Sequence, residues 1–183
     1  MRTRLRPAHS PERLAEIYAK PHDHSLWVDH QLRVAFAAML ANTIMRDVIV
    51  GADLSCGDGK LLSAIPLKER HFGDVAPGWP ITGPIEETLD QIPYVGLFVC
   101  GETIEHLDDP DLVLKKIRAK TNRLLLTTPV DAWDDANEEH YWAWSREGVE
   151  DMLTTAGFTV SVYLELDLRP SQGDYCFGIW ACT

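Results

Sequence analysis

The sequence predicts a doubly wound α/β fold, in which a mostly parallel sheet carries helices on both faces. A continuous apolar run, residues 94–100, is typical of a strand that is buried on both faces of a parallel sheet, and a second apolar run, residues 124–126, begins another strand at residues 124–129. A third apolar run, residues 48–54, leads into a turn with two glycines and then into a helix-compatible segment. Strands that alternate with helices in this way favour a doubly wound sheet.

Length and charge limit the domain organisation and the ligands. The chain has 183 residues, which suits one domain (1–183), with a helical segment (1–46) ahead of the sheet-based core (47–183). Its formal net charge is −11, from 28 acidic residues against 17 lysines and arginines. Nucleic-acid binders normally present a basic face to phosphates, so the acidic charge argues against a nucleic-acid ligand and favours a small molecule or a protein. The sequence does not indicate an oligomeric state.

The same composition bears on compartment and redox state. No run is long and apolar enough to cross a bilayer, and the charged residues 1–6 do not form a signal-peptide pattern. A cytoplasmic protein is therefore expected, without a membrane partner. Cysteines occur at positions 56, 100, 176 and 182 without a C-x-x-C pair, which predicts reduced, buried thiols that bind no metal.

Two helices are predicted before the first strand. Ser10 as N-cap and Pro11 at the first helical position begin one helix, and Pro21 ends it. A longer helix is expected over residues 26–45. Its apolar stripe at helical spacing consists of Leu32, Phe36, Met39, Leu40 and Ile44.

Three histidines lie between and within these helices, at His22, His24 and His30. We interpret them as surface histidines, because no cysteine or carboxylate spacing completes a known ligand set. No metal is expected here.

The turn after the first strand contains Gly57 and Gly59, two residues apart. Glycine adopts backbone angles that are closed to other residues and lets a ligand approach the main chain. The following helix would direct its unpaired N–H groups at an anionic group above the strand. A single motif of this kind also fits other nucleotide-binding folds and plain structural turns.

Residues 53–59, Asp-Leu-Ser-Cys-Gly-Asp-Gly, resemble the first motif of class I S-adenosylmethionine-dependent methyltransferases, with Ser55 in place of the first glycine. The resemblance implies a seven-stranded sheet of order 3-2-1-4-5-7-6 with strand 7 antiparallel, and S-adenosylmethionine as cofactor. It also implies that the N-terminal helices (1–46) form a lid. The residues that it assigns to cofactor binding here are Asp53, Ser55, Cys56, Gly57 and Gly59. Tyr18, Trp27 and Arg33 are candidates for the lid, with simple packing or exposure as the alternative.

Asp74 ends the predicted second strand (71–74), after a short helix expected over residues 61–69. A carboxylate at the tip of this strand can accept hydrogen bonds from both hydroxyls of a ribose. By resemblance Asp74 is the ribose ligand and Val75 lies beside the cofactor; a plain turn aspartate is the alternative for Asp74.

The third strand is expected within residues 79–86, where the family often has Gly-Asp-Ala and uses the Asp for adenine. Gly83, Pro84 and Ile85 occupy that place. Proline offers neither a side-chain acceptor nor an N–H group. Adenine recognition is therefore expected from backbone atoms, Ile85 or Glu86.

A second resemblance follows the fourth strand, in residues 101–110, Gly-Glu-Thr-Ile-Glu-His-Leu-Asp-Asp-Pro. The family commonly continues from this strand into a Glu-His-Leu-x-x-Pro segment, and the resemblance gives Glu102 a contact with the cofactor. Asp109 and Pro110 provide the cap and first turn of the next helix.

The last elements complete the sheet. Strand five ends in Thr-Thr-Pro129, not in the tetrapeptide typical of nucleic-acid amino-methylating enzymes of this fold, which disfavours nucleobase methylation. Ser145 is expected to cap a helix that ends at Gly157. Two alternating strands, 159–166 and 175–181, follow.

The resemblance implies methyl transfer to an oxygen or nitrogen of a small-molecule acceptor, a reaction in which positioning provides much of the acceleration. A base is needed only if the acceptor is protonated, and His106 and His140 are the candidates, with structural roles as the alternative. Tyr141, Trp142 and Trp144 either form an aromatic wall or pack in the core.

Two other classes of function stay open. A protein that binds the cofactor without turnover is one, motivated by Ser55 and Pro84. Another nucleoside-cofactor enzyme on the same kind of sheet is the second. Fold analogy alone does not separate them.

Overall fold

The computed structural model describes residues 1–20, 24, 27–44, 47–171 and 173–183, apart from the side chains of residues 43 and 44. The predicted helix stop at Pro21, the histidine at His22 and the predicted helix ends at Leu26 and Met45 lie outside the described residues.

Nine strands and six α-helices are found in the described part of the chain. The strands are β1 (Arg2–Arg4), β2 (Val50–Asp53), β3 (Glu69–Asp74), β4 (Ile81–Thr82), β5 (Leu97–Gly101), β6 (Leu124–Val130), β7 (Trp142–Trp144), β8 (Val160–Asp167) and β9 (Cys176–Cys182). The helices are α1 (Pro11–Ile17), α2 (Val28–Ile44), α3 (Lys60–Ser63), α4 (Ile85–Thr88), α5 (Pro110–Lys120) and α6 (Arg146–Ala156). Short 3₁₀ turns cover Leu89–Gln91, Ile104–His106 and Arg169–Ser171.

Seven of the strands form one sheet in the order β4-β3-β2-β5-β6-β9-β8. Counted in chain order within this sheet, the order is 3-2-1-4-5-7-6. The pairs from β4 to β6 are parallel, and β9 is antiparallel to both of its neighbours. The predicted doubly wound fold is therefore confirmed, as is the strand order that the resemblance implied.

Both faces of the sheet are buried, which explains the continuous apolar runs. Along β5, Leu97 and Val99 point to the face covered by α2 and α3, while Phe98 and Cys100 point to the face covered by α5 and α6. All four are fully buried. Side chains alternate between the faces of a strand, so a strand between two helical layers buries side chains on both faces, and in β5 all four of these are apolar. All four cysteines are buried free thiols, as predicted.

The buried face of α2 differs from the predicted stripe. Leu32 and Met39 are 39% and 50% exposed. The side chains that pack on the sheet are Val34, Ala37, Ala38, Leu40 and Ala41, with Phe36 partly buried beside them. Ala37 and Ala38 lie four and three residues before Ala41, and these small side chains let the helix lie close to the sheet, whereas the prediction counted only large apolar residues. The side chain of Ile44 lies outside the described residues.

Two further elements differ from the predictions. The helix expected over residues 61–69 is one turn, Lys60–Ser63, and Glu69 already belongs to β3. A small antiparallel sheet of β1 and β7 was not predicted; it pairs Arg2 with Trp144 and Arg4 with Trp142. The guanidinium of Arg2 lies 4.0 Å from the centre of the Trp142 ring. Charged residues alone gave no strand signal at positions 2–4.

None of the described helices has the length and apolar character that a membrane span requires.

Candidate functional site

The carboxyl ends of β2, β3, β5 and β6 meet at one edge of the sheet, because these strands are parallel. The loops that follow them carry nearly all of the predicted site residues. Ligands of open α/β sheets bind outside this edge, where the strand order reverses. Here the reversal falls between β2 and β5.

The glycine turn and Asp74 lie in direct contact at this edge. The Gly57 N–H donates to Oδ2 of Asp74 over 2.7 Å, and the Ala76 N–H donates to Oδ1 over 2.8 Å. Gly57 and Gly59 have φ angles of 52° and 71°, which disfavour other residues. A Cβ at Gly59 would come within 2.6 Å of the Trp79 ring. Both positions therefore favour glycine, and the N–H of Gly57 holds the Asp74 carboxylate beside the turn.

Asp53 lies at the end of β2, beneath the glycine turn. Its side chain is 3% exposed, and its Oδ1 accepts a hydrogen bond from the Ser55 N–H over 3.1 Å. Burial raises the pKa of Asp53 to about 7, against the lowering effect of that hydrogen bond. A carboxyl group with this pKa gains or loses its proton near neutral pH. A cationic ligand beside it would favour the ionised form.

Ser55 and Cys56 have different environments within the turn. The Ser55 hydroxyl lies 2.7 Å from the Thr103 hydroxyl, and this contact joins the β2 turn to the loop after β5. The Cys56 thiol is buried, and burial raises its pKa. A thiol that stays protonated is a poor nucleophile, so Cys56 can contribute packing and its backbone only.

Glu102 and Arg33 form a buried polar network behind the turn. The Thr127 hydroxyl donates to Oε1 of Glu102 over 2.9 Å, and Nη1 of Arg33 donates to the same hydroxyl over 3.2 Å. Arg33 is only 7% exposed, and its Nε lies 3.7 Å from Oε1 of Glu102. Its Nη2 also lies 3.0 Å from Nδ1 of His30, whose Nε2 lies 3.1 Å from a carboxylate oxygen of Asp58. The network therefore fixes α2 to the site edge.

Two residues at this edge have strained backbones. Glu102 and Asp131, directly after β5 and β6, have φ angles of 51° and 54°. Non-glycine residues in this region are uncommon and cluster at functional sites.

The remaining predicted cofactor residues are distributed differently. Val75 is 36% exposed next to Asp74, whereas the Ile85 side chain is 5% exposed and packs in the core. The carbonyl of Glu86 accepts a hydrogen bond from Nζ of Lys116 over 2.8 Å. Trp27 is 59% exposed. Val75 and Trp27 are therefore exposed to a ligand and Glu86 partly so, whereas the Ile85 side chain is not.

Tyr18 directly follows α1 and contacts the loop after β6. Its hydroxyl donates to Oε2 of Glu139 over 3.0 Å. Burial and the Glu139 charge raise the pKa of Tyr18. The protonated phenol therefore fastens α1 onto the loop that follows β6.

His106 and His140, the predicted catalytic pair, are in contact with each other. Their ring centroids are 4.7 Å apart. Nδ1 of His106 lies 2.9 Å from the Glu139 carbonyl, and Nδ1 of His140 lies 2.6 Å from Oδ2 of Asp135. Carbonyl and carboxylate oxygens only accept, so both Nδ1 atoms carry the hydrogen and both Nε2 atoms keep a lone pair when the rings are neutral.

Burial and neighbouring charges shift the pKa values of His140 and Glu105 in this cluster. Burial would lower the pKa of His140, but the hydrogen bond to Asp135 and the charge of Glu105 outweigh it and raise the pKa. Burial, and then the nearby Glu102 charge, raise the pKa of Glu105, whose side chain is 1% exposed. Glu105 was not among the predicted site residues, although it directly precedes the predicted His106 in the sequence.

A cavity of about 470 Å³ opens beside this cluster, past the carboxyl end of β6. Its walls come from residues 130–137, Arg169 and residues 174–176. Asp135 belongs both to the cavity wall and, through His140, to the histidine cluster. Trp133 and Tyr175 supply aromatic surface, and neither the glycine turn nor Asp74 lines this cavity. The edge therefore has two separate parts, a glycine-turn side and a cavity side.

The aromatic segment 141–144 packs inward. Tyr141 and Trp144 are each 1% exposed, and Trp144 belongs to the core. Trp142 is partly buried under Arg2, with its Nε1 donating to the Leu107 carbonyl over 2.9 Å. The packing alternative therefore describes Tyr141, Trp142 and Trp144, and the aromatic surface of the cavity comes from Trp133 and Tyr175.

No family model and no curated protein matches the sequence, but many solved structures share its fold. The 1,6-didemethyltoxoflavin-N1-methyltransferase of Burkholderia thailandensis, crystallised with its namesake ligand and S-adenosylhomocysteine, superimposes with a TM-score of 0.75 at 15% identity, over 97% of this chain and 91% of that one. The N-methyltransferase NodS of Bradyrhizobium japonicum WM9, in complex with S-adenosylhomocysteine, gives 0.70 at 15% identity over 93% and 96%. The [4+2]-cyclase SpnF gives 0.70 at 11% identity over 97% of both chains.

These similarities establish that the chain has the fold of S-adenosylmethionine-dependent methyltransferases. Identities of this size show the fold alone, and the same fold in a cyclase shows that it hosts more than one chemistry.

Proposed function

We propose that this chain is an S-adenosylmethionine-dependent methyltransferase that transfers a methyl group to an oxygen or nitrogen of a small-molecule acceptor. The observation that carries the proposal is the contact between the glycine turn and Asp74 at the strand-order reversal. Two structures of the same fold that contain S-adenosylhomocysteine support the choice of cofactor.

The residues on the glycine-turn side fit such a cofactor. Among the described residues, a Cβ added at Gly57 would come within 4 Å of the His24 ring alone, at 3.8 Å, so these residues leave space beside the turn. Asp74 holds two backbone N–H groups but still has lone pairs for ribose hydroxyls. Asp53, buried beneath the turn, is the carboxylate that would face the positively charged methionine part.

The other predicted contacts stay proposals. We assign the methionine part to the backbone of Ser55, Cys56 and Gly59 and to the network of Glu102. Val75 and Glu86 would contact the adenine, with Ile85 supporting them from the core. Trp27 and Arg33 would close the helical segment (1–46) over the site as a lid. S-adenosylmethionine supplies a methyl group on a positively charged sulfur, so the protein needs chiefly to align it with the acceptor.

The cavity beside the histidines is the proposed acceptor site. Its volume of about 470 Å³ is in the range typical of small-molecule pockets. Trp133 and Tyr175 would contact the flat parts of an acceptor. His106 and His140 lie next to this cavity through Asp135, and we propose that they act on the acceptor proton.

Titration calorimetry with S-adenosylmethionine and S-adenosylhomocysteine tests the proposal. We expect binding of both compounds, and weaker binding to the Asp74→Ala variant. Asp90→Asn serves as the matched control, because the Asp90 side chain is 77% exposed and its charged neighbour is Lys120 at the end of α5. Absence of binding to either compound at millimolar concentration would overturn the proposal. A labelled-methyl screen against fractionated metabolites then identifies the acceptor.

The alternative is a regulatory protein that binds the cofactor without turnover. Ser55 and Pro84 favour it, because both depart from the family pattern, and Pro84 caps α4 without any side-chain hydrogen bond. Cofactor binding with no labelled product from any fraction, small-molecule or protein, would support this alternative. The four free cysteines fit a reducing compartment, so we propose the cytoplasm as the location.

A further inference from the structure

The proposed alignment of cofactor and acceptor does not explain why three side chains lie together at the site edge, those of Glu105, His106 and His140. Among the described residues, their ligand atoms form a group of three that lie within 4.8 Å of one another and could hold a metal ion. Glu105 and His106 come from the 3₁₀ turn after β5, and His140 from the loop after β6.

The carboxylate of Glu105 provides the strongest evidence. It is 1% exposed, and its Oε2 accepts a hydrogen bond from the Thr128 hydroxyl over 3.0 Å. Its Oε1 has no hydrogen-bond partner among the described residues and lies 4.0 Å from Nε2 of His106. A buried oxygen that lacks a partner is costly, and it is explained if a cation occupies the space that it faces.

Both histidines are oriented as metal ligands usually are. A ligating imidazole typically donates its other ring N–H to a carboxylate or a backbone carbonyl. His140 does so to Asp135 and His106 to the carbonyl of Glu139. These contacts turn the Nε2 atom of each ring into the nitrogen that can bind a metal.

We propose that Glu105, His106 and His140 form a binding site for one divalent transition-metal cation at the acceptor side of the crevice. Two imidazole nitrogens and one carboxylate oxygen favour Zn²⁺, Fe²⁺, Mn²⁺ or Co²⁺ over Mg²⁺ or Ca²⁺, which prefer oxygen ligands. A tetrahedral cation would draw the ligand atoms to about 3.4 Å from one another, a movement of about 1 Å that side-chain rotation can supply.

Solvent has access to the proposed site. The His106 side chain is 23% exposed, so the cluster is reached from solvent. Three protein ligands leave a coordination position open, as in catalytic metal sites. An acceptor oxygen could take that position. In the metal-loaded protein the imidazoles would act on the acceptor through the cation, and the base role proposed above would apply only to the metal-free protein.

Titration of the metal-free full-length chain with Co²⁺ alone tests this inference. We expect one equivalent to bind, with visible absorption bands of a four- or five-coordinate ion, and Zn²⁺ to displace it. Glu105→Gln and His106→Ala should each lower the Co²⁺ affinity by about 100-fold or more, and Asp135→Asn by about 10–100-fold. His71→Ala, a histidine on β3 outside the cluster, is the control and should bind Co²⁺ unchanged.

Circular dichroism and thermal unfolding identify variants that fail to fold, and Glu105→Gln preserves the shape of the side chain. No Co²⁺ binding at millimolar concentration, or equal affinity in folded Glu105→Gln and His106→Ala variants, would overturn the metal site. The measurement does not involve S-adenosylmethionine. Metal binding without cofactor binding therefore contradicts the proposed function alone, and cofactor binding without metal binding contradicts the metal site alone.

Discussion

Replacing Asp53 by asparagine should make the protein more resistant to rising pH. Burial raises the pKa of Asp53 in the folded state from 3.8 to about 7. The stability associated with this group is therefore complete below pH 3.8 and is lost as the pH rises through 7. The difference corresponds to as much as about 4 kcal/mol, at about 1.4 kcal/mol per pH unit.

Asparagine keeps nearly the shape of the Asp53 side chain but cannot ionise. Its Oδ1 can still accept the Ser55 N–H, whereas its amide N–H₂ group adds a buried donor that costs about 1–3 kcal/mol at every pH. The expected signal is thus the change with pH. Between pH 4 and 7, the free energy of unfolding of Asp53→Asn should rise relative to the wild type, by up to about 4 kcal/mol in total.

Urea unfolding of both proteins at several pH values measures this difference. Asp90→Asn, whose parent side chain is 77% exposed, provides the control and should track the wild type. A difference between Asp53→Asn and wild type that stays constant from pH 4 to 8 would refute the argument that Asp53 is held neutral by burial. We also expect Asp53→Asn to bind S-adenosylhomocysteine more weakly by about 1–3 kcal/mol. Unchanged affinity would remove Asp53 from the cofactor site.

Three further substitutions test the site edge. Asp74→Ala should weaken S-adenosylhomocysteine binding by about 1–3 kcal/mol in calorimetry, and an unchanged Kd would show that Asp74 is not the ribose ligand. Gly59→Ala should lower the free energy of unfolding by about 1–3 kcal/mol, since φ is 71° and the new Cβ would lie 2.6 Å from Trp79; an unaltered urea midpoint contradicts this. Arg33→Met should destabilise by about 2 kcal/mol, because it leaves Glu102 without its buried cation.

Arg13→Met is the matched control for Arg33→Met. Arg13 lies on α1 with its side chain 53% exposed and pairs with Glu16 three residues along the helix. Exposed pairs of this kind contribute little, so we expect its unfolding curve to follow the wild type. Equal destabilisation by both substitutions would mean that the network behind the glycine turn adds nothing specific.

The residues that begin and end helices could be predicted from the sequence because they act within one helical turn. Ser10, Asp109 and Ser145 each accept a backbone hydrogen bond as N-caps, and Gly157 ends α6 with a φ of 94°. The buried strands were equally visible, since a strand covered on both faces is apolar throughout. The strand order came from the resemblance, because periodicity within a strand carries no information on its neighbours.

The sequence by itself therefore determined the α/β class, the main strands and helix ends, and the glycine turn. The tertiary structure decided which side chains meet. It paired β1 with β7, so that Arg2 lies opposite Trp144, 142 positions later in the sequence, and it selected the alanine face of α2. It also brought His140 to Glu105 and His106. Local signals extend over about four residues, whereas such contacts depend on where loops from different strands converge.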